Sequence, residues 1–412
     1  MQVTDEALDL DEALARVLAD ARPLAPVRVA VRSAHGAVAA VDHRARWRLP
    51  LGDVSIMDGY AVRAVDITGP EGHVPKVRLR RRGESAAGHP ATGPLAPGEA
   101  ARISTGAILP SGADAVIAQE DVGVDGDLLE IDVAALARFG PGRHVRAAGS
   151  EVAEDELLVA AGARLGPSEL ALLAGAGHAE VTIHRRPTVA ILCTGDELRP
   201  IGAAPRLGEV ISTNPLLLAP TLEALGCPVL ELGPVVDDRA ATIAALADAA
   251  ARADVVITSG GVSVGDHDHV GVALRELGAR VSVARLHLRP GRPMIYARLG
   301  ASRIFALPGN PASTYVTFEL FARPLLCRLA GLPAAFRRPR RRVTLTAPAP
   351  GAGRRAHVVR VRVVDDEATP LPQQASGSLR SLAGHNALVC VPPGVEGIAA
   401  GERVEAILLD GP

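Results

Sequence analysis

Three segments of this 412-residue chain place glycine or proline beside polar side chains directly after an apolar run. They read CTGDE at 193–197, SGGVSVGDHD at 259–268 and LPGNPAS at 307–313. Glycine lets backbone N–H groups come close to a phosphate because it has no Cβ. Carboxylates suit a hard divalent cation. One such loop is equally typical of an ordinary strand–loop–helix connection, but three together predict a binding site.

A basic segment, RLHLRPGRP at 285–293, is the second candidate. Period-two spacing would place Arg285, His287 and Arg289 on one face of a strand. Guanidinium groups bind tetrahedral oxyanions through paired hydrogen bonds. Taken alone, the pattern is more typical of a solvated edge strand. Next to the three loops, it favours anion binding.

Several acidic and imidazole side chains have two interpretations. His267 and His269 flank Asp268, but their spacing suits a strand better than the helix start predicted here, which favours solvated or capping histidines over metal ligands. Asp237 and Asp238 precede a predicted helix. Either could cap that helix or bind a cation, and for Asp238 the cap is at least as well supported.

Two polar segments lie earlier in the chain. The Asp-Gly pair in SIMDGY, at 55–60, is a hairpin-turn signal by itself. The segment at 102–116, RISTGAILPSGADAV, is a glycine loop with hydroxyl groups between two predicted strands. The residues alone assign no chemistry to either.

The elements that must position the three loops alternate between strand and helix over residues 188–333. Such alternation predicts a parallel sheet covered on both faces, with the loops along one edge. The strand of the middle loop is predicted at 254–258. The predicted helices cover 215–225, 239–252, 270–277 and 313–328.

The flanking regions have a different texture. An amphipathic helix, capped by acidic residues, is predicted at 9–21, a short helical piece at 35–40 and a helix at 168–176. Short alternating runs predict a β-rich domain at 65–146 and a separate small barrel or sandwich after residue 333. The basic run at 337–342 is interpreted as a solvated linker.

Composition limits the functional classes. With 44 basic and 46 acidic residues, the formal charge of −2 gives no reason to expect nucleic acid. Four well-separated cysteines predict a reduced, cytoplasmic chain without disulfides or structural zinc. Residues 1–22 lack the apolar region of a signal peptide, and no run reaches the roughly 18 apolar residues of a membrane span. The length predicts two to four domains.

Six motifs in one order resemble those of the molybdopterin molybdenumtransferases, the MoeA family that includes the gephyrin E domain. The motifs are SxMDGYAV at 55–62, STGAILPSGADAV at 104–116, TGDEL at 194–198, SGGVSVGDHD at 259–268, RPGRP at 289–293 and LPGNPAS at 307–313.

The resemblance implies a multidomain α/β plus β fold. A helical N-terminal subdomain would cover residues 1–49 and 147–184, with a β-rich inserted subdomain at 50–146. A MogA-like three-layer α/β domain that binds molybdopterin would follow at 185–333, and a C-terminal β-barrel at 334–412.

The resemblance also implies an activity in molybdenum cofactor biosynthesis. Molybdate would be inserted into adenylylated molybdopterin, with Mg²⁺-dependent release of AMP. The protein would be a homodimer with each active site at the subunit interface, and a MogA-type adenylyltransferase is a candidate partner.

Motif positions carry over the implied site residues. The implied catalytic residues are Asp58, Thr105, Glu197, Asp237 and Asp268, of which Glu197, Asp237 and Asp268 would bind the metal. The implied substrate and molybdate residues are Gly260, Gly261, Ser263, Arg285, Arg289, Arg292, Pro308, Asn310, Pro311, Ser313, Arg360 and Ser376.

Departures from the family pattern keep alternatives open. Arginine replaces the usual lysine at Arg285, Arg289 and Arg292, which leaves the choice between molybdate and tungstate open. The usual Gly-Glu-Asp is Gly-Ser-Glu here, so Glu151 has no assigned role. A catalytically silent molybdopterin-binding scaffold is one alternative. The adenylyltransferase step of MogA-type proteins is another, but that step needs neither the MDGY segment nor the barrel.

Overall fold

The computed structural model describes residues 7–68, 76–136, 139–262, 269–332 and 338–409. The predicted site residues Ser263 and Asp268, and His267 beside them, lie outside the described residues. The chain forms two compact units. The first comprises Met1–Val27, Gly36–Ala40 and Thr182–Pro412, and the second Arg28–His35 and Val41–Val181. The division into four subdomains stays a prediction.

The described residues contain eight α-helices and a π-helical segment at Phe318–Ala322. The helices are α1 (Leu10–Leu18), α2 (Ala64–Thr68), α3 (Pro167–Gly175), α4 (Asn214–Ala224), α5 (Arg239–Arg252), α6 (His269–Glu276), α7 (Pro311–Thr317) and α8 (Arg323–Leu329).

The strands of the first half of the chain lie mainly in the second unit and, apart from the ten-residue β5, are short. They are β1 (Pro26–Ala30), β2 (His43–Arg44), β3 (Val54–Ser55), β4 (Gly59–Val62), β5 (Lys76–Ser85), β6 (Glu99–Ile103), β7 (Ala115–Ala118), β8 (Val122–Asp125), β9 (Leu128–Asp132), β10 (Val145–Arg146), β11 (Leu157–Val159) and β12 (Glu180–His184).

The remaining strands belong to the first unit. They are β13 (Val189–Thr194), β14 (Leu198–Arg199), β15 (Val210–Ile211), β16 (Val229–Val235), β17 (Val255–Ser259), β18 (Arg280–Arg285), β19 (Leu288–Arg289), β20 (Pro293–Leu299), β21 (Ser302–Leu307), β22 (Arg340–Leu345), β23 (Ala349–Pro350), β24 (Ala356–Val364), β25 (Glu367–Pro370), β26 (Ala387–Val391), β27 (Gly397–Ile398) and β28 (Arg403–Leu408).

A six-stranded sheet organises the first unit, in the order β16-β13-β17-β21-β20-β18. The first four strands are parallel, and β20 and β18 continue the sheet antiparallel. The next two strands of this sheet along the chain, β16 and β17, lie on opposite sides of β13, which makes the C-terminal end of β13 a topological switch point. Ligands bind in the crevice at such a point.

Helices cover both faces of this sheet, as predicted. Val189 and Ile191 of β13 share a core with Leu218 of α4. Ala190, on the alternate face, shares the second core with Leu246 of α5. Strands buried on both faces need continuous apolar runs, which is why β13 and β17 read as unbroken hydrophobic stretches.

Helix α1 also packs in the first unit. Ala13 and Val17 are buried in the same core as β13, and the amphipathic stripe explains why the segment is helical. The N–H of Leu8 donates to the carbonyl of Arg285 at 3.0 Å. The predicted helix is confirmed, but the predicted acidic cap is wrong, because the side chain of Asp9 makes no capping hydrogen bond.

The C-terminal strands close into a five-stranded barrel. The order is β24-β25-β22-β28-β26, and β26 pairs back onto β24. The barrel is less separate than predicted, because Ala356, Val358 and Leu388 lie in the same apolar core as the α/β sheet. The fold class predicted from the sequence is confirmed.

The strand predicted through the basic segment is interrupted. Arg285 ends β18 in the α/β sheet, whereas Arg289 lies in β19, which pairs in parallel with β24 of the barrel. The two arginines therefore belong to different sheets, and the single period-two face predicted for them is wrong. Pairing across the domains overrode the local alternation.

Residues 339–342 of the predicted solvated linker are exposed, as predicted, but the described part, 338–342, is not a linker because it leads into β22. Arg338 donates through Nε and Nη2 to Glu319 at 3.0 Å; the side chain of Glu319 is buried and that of Arg338 is largely buried. Arg340 and Arg341 start β22 and pair with Glu405 and Asp366. These charges are neutralised by partners within the chain.

The second unit is built on a six-stranded sheet in the order β7-β4-β6-β5-β9-β8. Its core includes Tyr60, Leu79 and Ile117. The β-rich insertion is confirmed, as is α3. The predicted helical piece at 35–40 is wrong, because these residues form no helix. The nearest helical turn is a 3₁₀ turn at Val31–Ser33. Within the described ranges, no helix has the length and apolarity needed to cross a membrane.

Candidate active site

The three predicted loops meet at one cavity of about 710 Å³, called here the switch-point cavity. It lies at the C-terminal ends of β13, β17 and β21, as the parallel register requires. The loop residues lining it are Thr194, Gly195 and Glu197, then Ser259, Gly260 and Gly261, and finally Gly309, Asn310 and Pro311. The predicted convergence of the loops is confirmed.

Close backbone packing explains the glycines of the middle loop. Gly260 has φ +96°, and a Cβ there would lie 2.3 Å from the carbonyl oxygen of Thr194. Gly261 has φ +65°, and its Cβ would lie 2.8 Å from Oγ1 of Thr194. Any side chain would force the β17 loop away from β13, so these positions require glycine.

Two predicted carboxylates line the switch-point cavity. Glu197 lies against Gly195, where a Cβ would be 2.6 Å from Oε2 of Glu197. The backbone N–H of Asp237 donates to Oδ1 of Asp196 at 3.0 Å, which fixes Asp237 at the cavity wall. Oδ1 of Asp237 is buried without a hydrogen-bond partner among the described residues, with Nε2 of His269 at 3.9 Å.

Asp238 has a structural role. Its side chain accepts a hydrogen bond from the N–H of Ala241 at 2.8 Å and caps α5. The cap interpretation is confirmed for this residue. Over the described residues, no cluster of three or more His, Cys, Asp or Glu is arranged to hold a metal ion.

Cys193 lines the same cavity but has no nucleophilic character. Burial raises the pKa of its thiol to about 11, so the thiol stays protonated at neutral pH. All four cysteines are free thiols.

A second cavity, of about 340 Å³, adjoins the first and is called here the arginine cavity. Arg289, Arg292 and Arg355 line it, together with the hydroxyl-bearing residues Ser313 and Ser376. The three guanidinium groups donate hydrogen bonds and carry positive charge, and the two hydroxyl groups can also donate. This combination suits an anion.

Arg360 lies behind the wall of the arginine cavity and is fully buried. Its Nη2 donates to Oγ of Ser381 at 2.8 Å and to the carbonyl of Ala375 at 3.3 Å. Burial, and then the nearby charge of Arg289, lowers its pKa to about 10. Arg360 therefore remains cationic at neutral pH, and its Nη1 has no partner among the described residues. A bound anion would offset this uncompensated charge.

Asn310 belongs to both cavities. Its Nδ2 donates to Oγ of Ser376 at 3.2 Å, and the N–H of Ala312 donates to the carbonyl of Ser376 at 3.0 Å. The loop after β21 and the barrel segment around residue 376 thus form a common wall. Gly377, next in the chain, faces the switch-point cavity.

Asp58 and Thr105 meet within the second unit. Oδ1 of Asp58 accepts from the backbone N–H of Thr105 at 2.7 Å and from its Oγ1 at 3.0 Å. These two hydrogen bonds, with a smaller effect from Arg102, lower the pKa of Asp58 below its ordinary value. The segment between β3 and β4 thus presents an ionised carboxylate; it is not a hairpin turn, because β3 pairs with β10 and β4 with β6 and β7.

Two residues discussed from the sequence lie apart from the cavities. Arg285 lines neither of the two described cavities. Glu151 forms an ion pair with Arg146 at 3.0 Å, with both side chains about half exposed.

Sequence reasoning missed three residues of the site. Arg355 lines the arginine cavity, and its signal was the Arg-Arg pair directly before the apolar strand β24. Asp196 positions Asp237, and its signal was its place inside TGDEL. Asn214 lines the switch-point cavity. An asparagine at the start of a helix is usually a helix cap, so nothing in the sequence marked Asn214 as a site residue.

Comparison with known proteins decides the family. Residues 8–177 match the MoeA N-terminal region (domain I and II), 190–328 a probable molybdopterin binding domain and 342–409 the MoeA C-terminal region (domain IV). The chain belongs to the molybdopterin molybdenumtransferase family.

Relatives match over nearly their whole length. Molybdopterin molybdenumtransferase 2 of Mycobacterium tuberculosis is 35% identical over 95% of this chain and 97% of its own. The Nostoc molybdopterin molybdenumtransferase is 34% identical over 92% and 87%. The crystal structure of the MoeA protein of Pyrococcus horikoshii superposes with a TM-score of 0.85 at 32% identity, covering 98% of this chain and all of that one. The predicted family and enzyme class are confirmed.

Proposed function

We propose that the protein inserts molybdate into adenylylated molybdopterin with Mg²⁺-dependent release of AMP, giving molybdenum cofactor. One observation carries the proposal: a cavity at the sheet's switch point shares a wall residue, Asn310, with a cavity lined by arginines. The reaction requires a phosphorylated pterin next to a tetrahedral oxyanion. The two adjoining cavities suit that pair of ligands.

The switch-point cavity would hold the pterin nucleotide. The backbone N–H of Gly261 has no side chain of its own beside it and suits a phosphate, whereas the N–H of Gly260 already donates to the carbonyl of Leu307 at 3.2 Å. Pro311 begins α7 at the same wall. The family match of residues 190–328 to a probable molybdopterin binding domain supports this assignment.

The arginine cavity would hold molybdate. Arg289 and Arg292 would contact its oxygens, with Ser313 and Ser376 donating hydroxyl hydrogen bonds. Pro308 shapes the floor, and its carbonyl is already occupied by Oγ1 of Thr314 at 2.6 Å. Arg360 would stabilise the bound dianion from behind the wall, through charge.

Glu197 and Asp237 fit a magnesium ion. Both carboxylates line the switch-point cavity, and Oδ1 of Asp237 is buried without a hydrogen bond among the described residues, as a vacant ligand atom would be. Mg²⁺ takes oxygen ligands and would neutralise charge on a phosphoanhydride. Asp268, the third predicted ligand, stays a prediction.

The homodimer implied by the motifs is part of the proposal, as are catalytic roles for Asp58 and Thr105. We expect these two residues of one chain to complete the site of the other. In a mixed dimer of an Asp58→Ala chain and a Glu197→Ala chain, one of the two shared sites would then be intact and the other would lack both residues. We expect such a dimer to have up to half the activity of a wild-type dimer. Inactive mixed dimers would contradict a shared site. A MogA-type adenylyltransferase is the proposed source of the substrate.

The deciding experiment supplies purified protein with adenylylated molybdopterin, Mg²⁺ and molybdate, and measures AMP by chromatography. Molybdate-stimulated AMP release and activation of an apo-molybdoenzyme are expected. Substitution of Glu197 or Asp237 by alanine should abolish release while leaving the fold unchanged by circular dichroism.

Parallel reactions with tungstate test the oxyanion preference. Faster AMP release with tungstate would identify a tungstate-preferring homologue. Molybdopterin binding without any AMP release from folded protein would contradict the transferase and favour the silent scaffold.

A further inference from the structure

Asn214 occupies a position that the proposed chemistry does not yet use. It starts α4, is only 9% exposed and lines the switch-point cavity beside the loops after β17 and β21. A polar side chain buried at such a junction is costly unless its hydrogen bonds serve the surrounding structure.

The amide of Asn214 connects two different loops. Its Nδ2 donates to Oγ of Ser259 at 2.5 Å and to the carbonyl of Gly309 at 2.7 Å. A carbonyl oxygen can only accept, so the contact with Gly309 fixes which end of the amide is the NH₂ group. Oδ1 is left buried without a partner among the described residues.

The paired strands β17 and β21 end at Ser259 and Leu307, and beyond them few hydrogen bonds join the two loops that Asn214 connects. A Cβ on Gly309 would lie 3.3 Å from Cα of Gly260, so backbone packs directly on backbone. Two longer hydrogen bonds also cross the junction: the N–H of Gly260 donates to the carbonyl of Leu307 at 3.2 Å, and Oγ of Ser259 donates to the carbonyl of Pro308 at 3.5 Å. Glycines have no side chains that could pack together and fix this spacing. The two hydrogen bonds donated by Nδ2 of Asn214, at 2.5 and 2.7 Å, can fix it.

We propose that Asn214 is a positioning residue that holds Gly260 and Gly261 of the β17 loop at a fixed distance from Asn310, the residue shared by the two cavities. The expected effect on catalysis rests on the proposed function. The two hydrogen bonds from Asn214, called here the Asn214 brace, are present without ligand. Misplacement by about 1 Å of groups flanking a reaction can cost about a hundredfold in rate.

The test compares Asn214→Ala and Asn214→Asp in the full-length protein. Aspartate keeps the shape of asparagine but presents a carboxylate oxygen, which cannot donate, to the carbonyl of Gly309. Both variants therefore lose the hydrogen bond to Gly309. We expect both to show faster amide hydrogen exchange at residues 255–262 and 307–314 in the ligand-free protein. We also expect kcat for AMP release to fall about ten- to hundredfold.

Asn386→Ala is the matched control. The side-chain amide of Asn386 likewise makes two hydrogen bonds, but both go to the backbone of Val363 in the barrel: Oδ1 accepts from its N–H and Nδ2 donates to its carbonyl. This variant should leave exchange in the two loops and kcat at wild-type values. It reports the general cost of deleting a bridging asparagine.

Three outcomes would overturn the brace. Wild-type exchange in Asn214→Ala would show that the amide does not hold the loops, and wild-type exchange and kcat in Asn214→Asp would show that shape alone suffices. Should Asn214→Ala fail to fold, Ser259→Ala removes the hydrogen bond from Asn214 to the β17 loop, together with the longer bond from Ser259 to the carbonyl of Pro308. Unchanged exchange in that variant is the third outcome. If wild-type protein releases no AMP, the proposed function fails, and exchange alone decides the brace.

Discussion

Asp58 shows how two hydrogen bonds set the state of one exposed carboxylate. The depressed pKa means that its interaction with Thr105 is fully present above the ordinary aspartate pKa and is lost as pH falls through the lowered value. In Thr105→Val the Oγ1 donor disappears, but the backbone donor, the larger cause, remains.

We therefore expect the pKa of Asp58 in Thr105→Val to rise while staying below its ordinary value. Carboxyl ¹³C NMR titration measures it. A pKa unchanged from wild type would mean that the hydroxyl contact is absent in solution. Thr68→Val, in the same unit and bonded to the carbonyl of Ala64, is the control that should leave the titration unaltered.

Arg289 links affinity and stability with opposite signs. It is exposed in the arginine cavity and depresses the pKa of the buried Arg360. Arg289→Gln should weaken molybdate binding about ten- to hundredfold through loss of a charge-assisted hydrogen bond. The melting temperature without ligand should stay the same or rise, because Arg360 loses a repulsive neighbour.

Isothermal titration with molybdate and thermal unfolding test the two signs separately. Arg280→Gln, on an exposed arginine of β18, is the control and should leave molybdate affinity unaltered. A lower melting temperature with unchanged affinity would identify Arg289 as a structural residue.

At the scale of elements, the buried ion pair joins the last α/β segment to the barrel. Glu319 lies in the π-helical segment between α7 and α8, and its side chain is 1% exposed, against 12% for that of Arg338. Removing one partner leaves a buried charge uncompensated, so Glu319→Gln should lower the free energy of unfolding by about 3–5 kcal/mol.

Urea denaturation followed by circular dichroism measures this loss. The control is Glu405→Gln, which breaks the Arg340 pair at 53% exposure of both side chains and should cost less than about 1 kcal/mol. Equal losses in the two variants would contradict a special role for the buried pair.

Local patterns predicted the elements of the first unit well, because periodicity and breakers act over a few residues. The helix predicted at 239–252 is α5 with the same bounds, and the strand predicted at 254–258 is β17 shifted by one residue. Prediction failed where distant pairing overrode local pattern. Residues 285–289 alternate like one strand, yet β18 and β19 join two different sheets.

At the scale of the whole first unit, the barrel and the α/β sheet share one apolar core. Leu325 of α8, Phe305 of β21 and Val358 of β24 lie in a single buried cluster. Segments that share a core lose it together, so we expect β17 and β26 to exchange amide hydrogens with the same dependence on denaturant.

Native-state hydrogen exchange with mass spectrometry tests this expectation. Glu319→Gln should lower the opening free energy of both strands by the same amount. Earlier opening of β26 alone would show that the barrel is an independent folding unit, as the sequence pattern had suggested.

The sequence by itself determined the family, the strand–helix alternation and the three loops of one sheet edge. These follow from short-range information: runs of apolar residues, glycines and motif order. It also predicted Asp58, Thr105, Glu197 and Arg289 as site residues, because motif positions carry residue type directly.

Only the tertiary structure decided which of these side chains meet. It placed Arg355 beside Arg289, set Arg360 behind them with its charge uncompensated, and separated Arg285 from that group. It also showed that Asn214 bridges residues 45 and 95 positions away. Such contacts depend on strand order and domain packing, which no local spacing encodes.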